Sequence, residues 1–364
     1  MRSKRVRAPG TEMNIQVNPR HQFDISRLEE WCRTNIPEFG TVREVIQISG
    51  GVSNPTFFLS TEHGSKQHEF VLRKQPPGKL LPSAHQVDRE YRIMTALAGS
   101  DVPVPRTRAL CTDTGIVGTT FYLMERLHGR VLSEVSLPDV PRLDRAVIYD
   151  QLAIVLARLH RVDFEACGLL DFGRPGNFFE RQVQRWIMQY RGAQTEEIPA
   201  MERMIEYLPA NIPEDDAITI VHGDYRLGNV MFHPTQPRMI GVLDWELSTL
   251  GHPLADVAYS CLMWEFDTGT FGFLKGIDTD ALGIPQQTEY VSTYLRHAGR
   301  PSVSNWNFYL GFAMFRLASI RQGVYRRMLN GSVASAVPVE NTCPMTARQA
   351  LEIVERGPLE IIAR

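Results

Sequence analysis

The sequence predicts an α+β fold with two lobes, a small β-rich N-terminal lobe and a large α-helical C-terminal lobe. Between about residues 43 and 124, short runs of β-branched and aromatic residues are separated by glycine, proline and asparagine turns. Near residues 125–129 the pattern changes to helical periodicity, which continues nearly to the C-terminus. We therefore predict a flexible tail over residues 1–22, a first lobe over 23–124 and a second lobe over 125–364, with a ligand cleft at their junction.

The composition excludes several classes of function. Of the 364 residues, 43% are hydrophobic and 22% are charged, and the net charge is −2, so no excess of basic residues indicates nucleic-acid or anionic-membrane binding. The five cysteines are scattered without a C-x-x-C pair, which argues against a disulfide framework and a zinc site. No apolar stretch approaches the roughly 20 residues that span a bilayer, and the basic N-terminus lacks the apolar segment of a secretory signal. We predict a cytoplasmic protein with no nucleic-acid and no membrane partner.

The first elements along the chain surround a glycine turn. A helix is predicted over Ile25–Asn35. The run REVIQISGGVSNPTFFLS then contains two strand-like segments around Gly50 and Gly51, followed by Ser53 and Asn54. Glycines between strands let the backbone approach a ligand closely and point N–H groups at phosphate oxygens. An ordinary hairpin turn is the alternative.

The next strand and helix contain the charged residues of the first lobe. The strand EFVLRK ends on Arg73 and Lys74, whose side chains point to opposite faces of the pleat, so only one of them can face a cleft. In the following helix, Glu90 lies within the apolar stripe, three residues after Val87 and four before Met94. A carboxylate on a buried face needs a cationic partner, and either Arg73 or Lys74 can supply it. A plain structural ion pair is the alternative interpretation.

Two polar residues on helices of the second lobe need an explanation. His160 ends an amphipathic helix, and we interpret it as a capping or core histidine rather than a catalytic one. The long helix Trp306–Asn330 has four arginines and no acidic residue. Its Arg316 lies between Phe312 and Ile320 on the apolar face, where an unpaired charge would be costly.

The stretch Ile218–Asp256 contains the densest set of polar side chains with regular spacing. A short buried strand and an HGD turn lead to Asn229, which opens a hairpin that returns to Asp244. If His233 pairs with Arg238 across this hairpin, Asn229 and Asp244 share one face of the pleat, about 7 Å apart at their backbones. Carboxamide and carboxylate oxygens at that separation suit one or two Mg²⁺ ions that carry substrate phosphates.

Asp224 completes this set from the turn just before the hairpin. It is close enough to receive a proton from an acceptor hydroxyl, and a base beside two metal ligands is the arrangement that phosphoryl transfer requires. The alternative is that these polar residues only cap a hairpin. The spacing Asp-x-x-x-x-Asn alone is weak, but His222, the buried strand and the second aspartate make the functional interpretation the stronger one.

These motifs resemble a known family. The pattern HGDxxxxN over residues 222–229, followed by LDWE over 243–246, resembles the aminoglycoside phosphotransferase and choline kinase-like family, relatives of the protein kinases. The resemblance covers nearly the whole chain, including the run GHPLAD over 251–256. It implies a two-lobed protein-kinase-like fold and an ATP- and Mg²⁺-dependent phosphotransferase with an alcohol group as acceptor.

The resemblance also implies a nucleotide site in the first lobe. It includes the Ser53-Asn54 loop and favours Arg73 as the cation on the nucleotide phosphates, oriented by Glu90, although pleat alternation leaves Lys74 open. The segment after the last strand resembles the hinge whose backbone contacts adenine. Its candidate residues are Met124, Glu125 and Leu127.

In the second lobe, the resemblance implies that Asp224 is the catalytic base and that Asn229 and Asp244 are the metal ligands. Arg226, two residues after the base, is a candidate to steady the transferring phosphate, and a loop salt bridge is the alternative. One departure from the family is His252, where many members have aspartate. We expect this difference to affect packing more than chemistry.

Finer motifs indicate the acceptor. The segments HGDYRLGN, FVLRKQPPG, NFFERQVQRW and FRLASIRQGVYRR are similar to the kinase-like domain associated with acyl-CoA dehydrogenases. This similarity implies a hydroxyacyl-CoA as acceptor and a separate acyl-CoA dehydrogenase as a partner enzyme. The alternatives are an aminoglycoside, choline or other amino-alcohol kinase, and a non-catalytic nucleotide-binding module.

Overall fold

The computed structural model describes residues 6–8, 11–48, 54–78, 85–266, 272–331 and 340–364. By its internal contacts the chain divides into two compact units. The first comprises Met1–Gly129 together with Ile240–Glu246, and the second comprises Arg130–Met239 together with Leu247–Arg364. The β-rich N-terminal unit and the helical C-terminal unit confirm the predicted fold class.

The first unit is built on one sheet of seven strands in the order β1-β2-β3-β4-β5-β7-β6. The strands are β1 (Val6–Ala8), β2 (Thr11–Gln16), β3 (Thr41–Gln47), β4 (Thr56–His63), β5 (Lys66–Lys74), β6 (Thr107–Cys111) and β7 (Phe121–Glu125). The β2–β3 pair is parallel, and β3, β4, β5, β7 and β6 are joined by antiparallel pairs. Alternate residues of β4 are buried, including Phe57, and they form the core of this unit together with Phe70 and Leu72 of β5.

Helices cover this sheet where the sequence predicts them. They are α1 (Ile25–Asn35), α2 (Val87–Leu97) and the short α3 (Thr114–Val117). Asp24 caps α1, because its carboxylate accepts the N–H groups of Ser26 and Arg27. The predicted bounds of α1 are confirmed. The short α3 is a single helical turn, capped by Asp113.

Two predicted boundaries are wrong. The tail predicted as flexible over residues 1–22 contains β2, whose backbone pairs with the edge of β3 because an edge strand presents unpaired N–H and C=O groups. Val17 also packs against the core of the first unit. The predicted lobe boundary at residues 124 and 125 misses the return of residues 240–246, which pack with the first unit although they follow the second unit's β9 (Val230–Phe232).

The second unit is mainly helical. Its helices are α4 (Arg142–His160), α5 (Phe178–Ala193), α6 (Pro199–Ala210), α7 (Pro253–Ser260), α8 (Thr279–Leu282), α9 (Gln287–Ala298), α10 (Trp306–Leu329) and α11 (Cys343–Glu355). Its other strands are β8 (Thr219–Val221), β11 (Thr249–Gly251), β12 (Ser302–Val303) and β13 (Ile361–Ile362), while β10 (Met239–Val242) starts in this unit and ends in the first. Within the described ranges, no helix combines the length and the apolar character that crossing a membrane requires.

The antiparallel pair β8–β11 positions the functional loop of the second unit. Val221 pairs with Thr249 at the end of this ladder, and the HGD turn begins at the next residue. In the following hairpin, the His233 N–H donates to the Arg238 carbonyl at 2.8 Å, which confirms the pairing that we predicted. A turn of 3-10 helix over Leu227–Asn229 precedes β9, so Asn229 lies just before the strand that it was predicted to open.

Candidate active site

The loop that follows β8 reverses direction at Gly223. This glycine has a φ of +84°, and a Cβ at this position would lie 2.7 Å from the Leu247 carbonyl oxygen. Only glycine fits both the left-handed backbone and the close approach of the neighbouring segment. The tight turn places Asp224 at the end of the loop, where its carboxylate is partly exposed.

A buried carboxylate on α7 fixes the backbone of this turn. Asp256 accepts the N–H groups of His222 at 2.5 Å and Gly223 at 2.8 Å. His160 lies 3.5 Å from the same carboxylate and 2.8 Å from the Tyr294 hydroxyl. Burial alone would raise the pKa of Asp256, but the donors from His160 and the His222 backbone hold it below its ordinary value. The interpretation of His160 as a core histidine is therefore confirmed.

Asp224 is held by three side chains. Asn229 donates from Nδ2 to the Asp224 Oδ2 at 2.6 Å and to its carbonyl oxygen at 2.8 Å. The Arg226 Nε lies 3.4 Å from Oδ1, and the Tyr259 hydroxyl also hydrogen-bonds to the carboxylate. The structure thus brings together three of the predicted residues, namely Asp224, Arg226 and Asn229.

Tyr259 is a site residue that the sequence motifs do not include. Burial raises its pKa, and the negative charge of Asp224 raises it further, so this phenol remains a hydrogen-bond donor at neutral pH. The helical spacing contains a signal for it. Tyr259 follows Asp256 by three residues on α7, so both side chains face the same loop.

Arg316 on α10 stabilises the turn at Gly223. Its Nη2 donates to the Gly223 carbonyl at 2.8 Å. The guanidinium also lies over the rings of Trp186 and Tyr259, at 5.5 and 5.0 Å from their centroids. These contacts are the partners that a charged side chain on the apolar face of α10 needs.

In the first unit, Arg73 joins two carboxylates. Its Nε lies 2.8 Å from Glu90 on α2, and its Nη2 lies 2.6 Å from Asp244. Lys74 points to the other face of β5, where it is buried, donates to the Val117 carbonyl at 2.6 Å and lies over the Phe23 ring. Burial lowers the pKa of Lys74 to about 8. The structure therefore resolves the choice that the sequence left open, because Arg73 is the cation that pairs with Glu90.

Glu90 is almost fully buried, and each of its oxygens has a partner. Asn54 donates to Oε1 at 2.7 Å, and Tyr122 donates to Oε2 at 3.0 Å. Burial raises the pKa of Glu90, and the charge of Arg73 opposes this rise. The carboxamide of Asn54 bonds to Glu90 and to the His85 ring, so it supports the ion pair. The predicted contact of the Asn54 loop with nucleotide phosphates stays a prediction. Ser53 lies outside the described residues.

The remaining predicted residues of the first unit are Asp244 and the residues at the end of β7. Asp244 has a φ of +63°, which is uncommon for a residue with a side chain and concentrates at functional sites. After β7, the Leu127 side chain packs so closely on Gly241 that a Cβ there would lie 2.4 Å from it. The Glu125 N–H donates to the Arg106 carbonyl, and Met124 is paired in the sheet with Val71. The contact of Met124, Glu125 and Leu127 with adenine stays a prediction.

The oxygen donors fit Mg²⁺, a cation that usually takes one or two protein ligands and completes its shell with water and phosphate oxygens. Asn229 uses its Nδ2 on Asp224, which leaves its carbonyl oxygen as the side chain's acceptor. Asp244 is 36% exposed at its side chain and retains acceptor positions beside Arg73. Among the described residues no group of three or more His, Cys, Asp or Glu could hold a metal without a substrate. Asn229 and Asp244 belong to different units, so their separation stays a prediction.

A small, partly open cavity adjoins the loop of Asp224 within the second unit. Residues 226–228 form one of its walls, and Tyr259 contributes to another. No aspartate or glutamate is among the described residues that line it.

An aspartate fixed at the end of a glycine turn, with an arginine–glutamate pair and a second aspartate in a β-rich unit, is typical of kinase-like phosphotransferases. The comparisons with known proteins agree. The model of the family described as "Phosphotransferase enzyme family" matches residues 44–303, and the chain belongs to this family. It is therefore a phosphotransferase, an enzyme that acts on hydroxyl groups.

Two individual relatives are similar to this chain over most of its length. Acyl-CoA dehydrogenase family member 10 of Mus musculus is 48% identical over 296 residues, which are 80% of this chain and 27% of that protein. The chain spans less than half the length of the acyl-CoA dehydrogenase relatives that it matches. A solved protein from Ralstonia eutropha JMP134, described as a candidate aminoglycoside phosphotransferase, is 44% identical with a TM-score of 0.84, over 92% of this chain and 99% of that one.

A more distant structure shows the fold alone. It is the aminoglycoside phosphotransferase APH(4)-Ia, solved as a complex with AMP-PNP and hygromycin B, at 16% identity and a TM-score of 0.58 over 91% of this chain and 99% of that one. The binding of ATP by this chain stays a prediction.

Proposed function

We propose that this protein transfers the γ-phosphoryl group of ATP, with Mg²⁺, to the hydroxyl group of a hydroxyacyl-CoA. The observation that carries the proposal is the position of Asp224, whose carboxylate is fixed by Asn229 and Tyr259 next to a cavity whose described lining residues include no aspartate or glutamate. A polycation needs several carboxylate partners when it loses its water, whereas a hydroxyacyl chain needs none.

The residues have separate tasks in this reaction. Asp224 accepts the proton of the acceptor hydroxyl while the hydroxyl oxygen bonds to the γ-phosphorus and the bond to the β-phosphate oxygen breaks, so that ADP leaves. Asn229 holds Asp224 in one orientation through its Nδ2. Arg226, which lies beside Asp224 and along the cavity, stabilises the negative charge of the transferring group.

Arg73 binds the nucleotide phosphates in this proposal. Glu90 orients the guanidinium of Arg73 through their ion pair. The Glu90 carboxylate is itself fixed, because each of its oxygens accepts a hydrogen bond from another side chain. Asp244 and Asn229 would hold the metal, and a bound Mg²⁺ would supply charge neutralisation of the phosphates. Arg73 also forms an ion pair with Asp244, which keeps the guanidinium next to this proposed metal ligand.

The relatives support the acceptor. The name of the mouse relative assigns it to the acyl-CoA dehydrogenases, and a kinase that prepares hydroxyacyl-CoA substrates would match such an enzyme. A separate acyl-CoA dehydrogenase partner and a cytoplasmic location belong to the same proposal. An aminoglycoside, choline or other amino-alcohol kinase is the second candidate, favoured by the description of the Ralstonia eutropha relative.

Turnover of two acceptors separates these candidates. ADP release is measured for the purified protein with ATP, Mg²⁺ and either a 4-hydroxyacyl-CoA or kanamycin, and the products are identified by mass spectrometry. We expect phosphorylation of the acyl-CoA at its hydroxyl. Phosphorylation of kanamycin without the acyl-CoA would overturn the acceptor, and ATP binding without turnover of any alcohol would favour a non-catalytic module.

A further inference from the structure

A chain of hydrogen bonds and ion pairs leads from the residues before α2 to the arginine of the first unit. The His85 Nδ1 lies 3.1 Å from the Asn54 Oδ1, and the Asn54 Nδ2 donates to the Glu90 Oε1 at 2.7 Å. The other oxygen of Glu90 pairs with the Arg73 Nε at 2.8 Å, and Arg73 pairs in turn with Asp244 at 2.6 Å. Asn54 and Glu90 are buried, so water does not replace a partner that either of them loses.

The chemistry of these groups fixes the direction of each hydrogen bond. A carboxylate that pairs with a guanidinium accepts hydrogen bonds, so the Asn54 amide turns its NH₂ group toward Glu90. The Asn54 carbonyl oxygen then faces the ring of His85, and this oxygen can only accept. The His85 Nδ1 therefore carries a proton and is the donor. The flipped amide would bring the Asn54 oxygen against the Glu90 carboxylate, so the donor from His85 favours the orientation that supports Glu90.

The backbone at His85 has an uncommon conformation. Its φ is +59°, in the left-handed region that disfavours residues with a side chain and that concentrates at functional sites. The His85 carbonyl accepts the N–H of Val87, the first residue of α2, at 3.0 Å. A glycine would relieve the strain of this turn, but it would also remove the hydrogen bond from the ring to Asn54.

We propose that His85 is a positioning residue of the nucleotide site. Its Nδ1 holds the Asn54 amide in the orientation that fixes Glu90, and Glu90 holds Arg73 in place for the phosphates of ATP. The inference rests on the proposed function, because it assumes that Arg73 binds the nucleotide. His85 acts through Asn54 and not on the nucleotide itself, so its loss weakens the binding of Mg·ATP without removing a ligand.

Three variants of His85 separate the side chain from the backbone. His85→Asn keeps an N–H donor at the place of Nδ1, because the Nδ2 of asparagine is also bonded to Cγ, and asparagine tolerates a positive φ. His85→Gly fits the same backbone but has no donor, and His85→Ala has neither the donor nor the freedom of the backbone. His63→Ala is the matched control, since His63 is exposed and lies at the opposite end of β4 from Thr56, the residue that pairs with Arg73.

The dissociation constant of Mg·ATP is measured by isothermal titration calorimetry without an acceptor. The loss of one buried hydrogen bond corresponds to about three- to tenfold in a binding constant. We expect this weakening in His85→Ala and His85→Gly, and wild-type binding in His85→Asn and His63→Ala. Because His85 acts through Asn54, adding His85→Ala to Asn54→Ala should weaken binding by less than about a further twofold. Asn54→Ser takes the place of Asn54→Ala if that variant does not fold.

Three results would overturn the role of His85. They are wild-type binding in both His85→Ala and His85→Gly, weakening in His85→Ala alone, which would assign the effect to the backbone, and effects of His85→Ala and Asn54→Ala that multiply in the double variant. Arg73→Gln tests the assumption beneath the proposal. If it binds Mg·ATP as tightly as the wild type does, or if the wild type does not bind Mg·ATP, the proposed nucleotide site is wrong and the role of His85 falls with it. Because the titration contains no acceptor, its result is independent of the proposed hydroxyacyl-CoA.

Discussion

Replacement of Tyr259 by phenylalanine tests whether the arrangement around Asp224 is functional. The substitution removes a single hydroxyl that donates to the carboxylate of Asp224. The ring remains, so the stacking of Arg316 over it is kept. The change therefore isolates one hydrogen bond to the proposed base.

The size of the effect follows from the remaining partners. A hydrogen bond to a charged group contributes about 1.5–3 kcal/mol. Asp224 retains the Asn229 donor at 2.6 Å and the Arg226 contact at 3.4 Å, so the lower end of that range applies. A loss of about 1.5 kcal/mol in the transition state lowers kcat about tenfold. The KM for ATP should not change, because Tyr259 is not among the residues proposed to bind the nucleotide.

The assay is steady-state ADP release with a hydroxyacyl-CoA as acceptor, in which kcat and the KM for ATP are determined separately. Tyr149→Phe is the control, since it removes another buried hydroxyl of the same unit, bonded to the Val135 carbonyl. This control should lower the free energy of unfolding by about 1 kcal/mol without lowering kcat. A wild-type kcat in Tyr259→Phe would refute the positioning role.

Two further predictions concern buried charges in each unit. Glu90→Gln leaves Arg73 without its buried anionic partner, and we expect the free energy of unfolding to fall by about 3 kcal/mol in a urea titration. We also expect the KM for ATP to rise at least about tenfold, because Arg73 is proposed to bind the nucleotide phosphates. An unchanged KM would show that this ion pair is not part of the nucleotide site. Burial lowers the pKa of His252 from 6.5 to about 4, so the unfolded chain binds a proton first as the pH falls through this window and stability is lost, by about 2–3 kcal/mol. His252→Asn retains a side chain that can cap α7 through the Leu254 N–H. The difference in unfolding free energy between this variant and the wild type should change as the pH falls from 6.5 to about 4. A difference that stays constant over this pH range would contradict a buried neutral His252.

Spacing alone was enough to predict part of the site. The interval from Asp224 to Asn229 contains a single turn, so the two residues are expected to lie close together. The hydrogen bond between their side chains is 2.6 Å long. The alternation of β5 and the helical stripe of α2 predicted a pair between Glu90 and one of two neighbouring cations. Because adjacent residues of a strand face opposite sides, the pattern could not decide between Arg73 and Lys74 without knowing which side faces α2.

Other features depend on contacts between segments that are distant in sequence. Tyr259 lies 35 residues after Asp224, and only the packing of α7 against the loop brings them together. The hydrogen bond from the Asn54 carboxamide to the buried Glu90 carboxylate joins residues 36 positions apart, and the local sequence around the two glycines contains no signal for it. The tail was predicted as flexible because its composition is polar, and the edge of β3 nevertheless pairs with it through backbone groups that no side-chain pattern reveals.

The central claim is that Asp224 is the base of a phosphoryl transfer to an alcohol. Asp224→Asn keeps the size of the side chain and an acceptor for the Asn229 amide while it removes the charge that takes the proton. Single-turnover transfer from ATP to a 4-hydroxyacyl-CoA, quenched and analysed for the phosphorylated product, compares this variant with the wild type. Because general-base catalysis contributes about 10²–10⁴-fold, the account predicts a rate lower by about a hundredfold or more with ATP binding retained. A rate within about tenfold of the wild-type rate is less than the loss of a general base would cause, and it would contradict the role of Asp224 as the base.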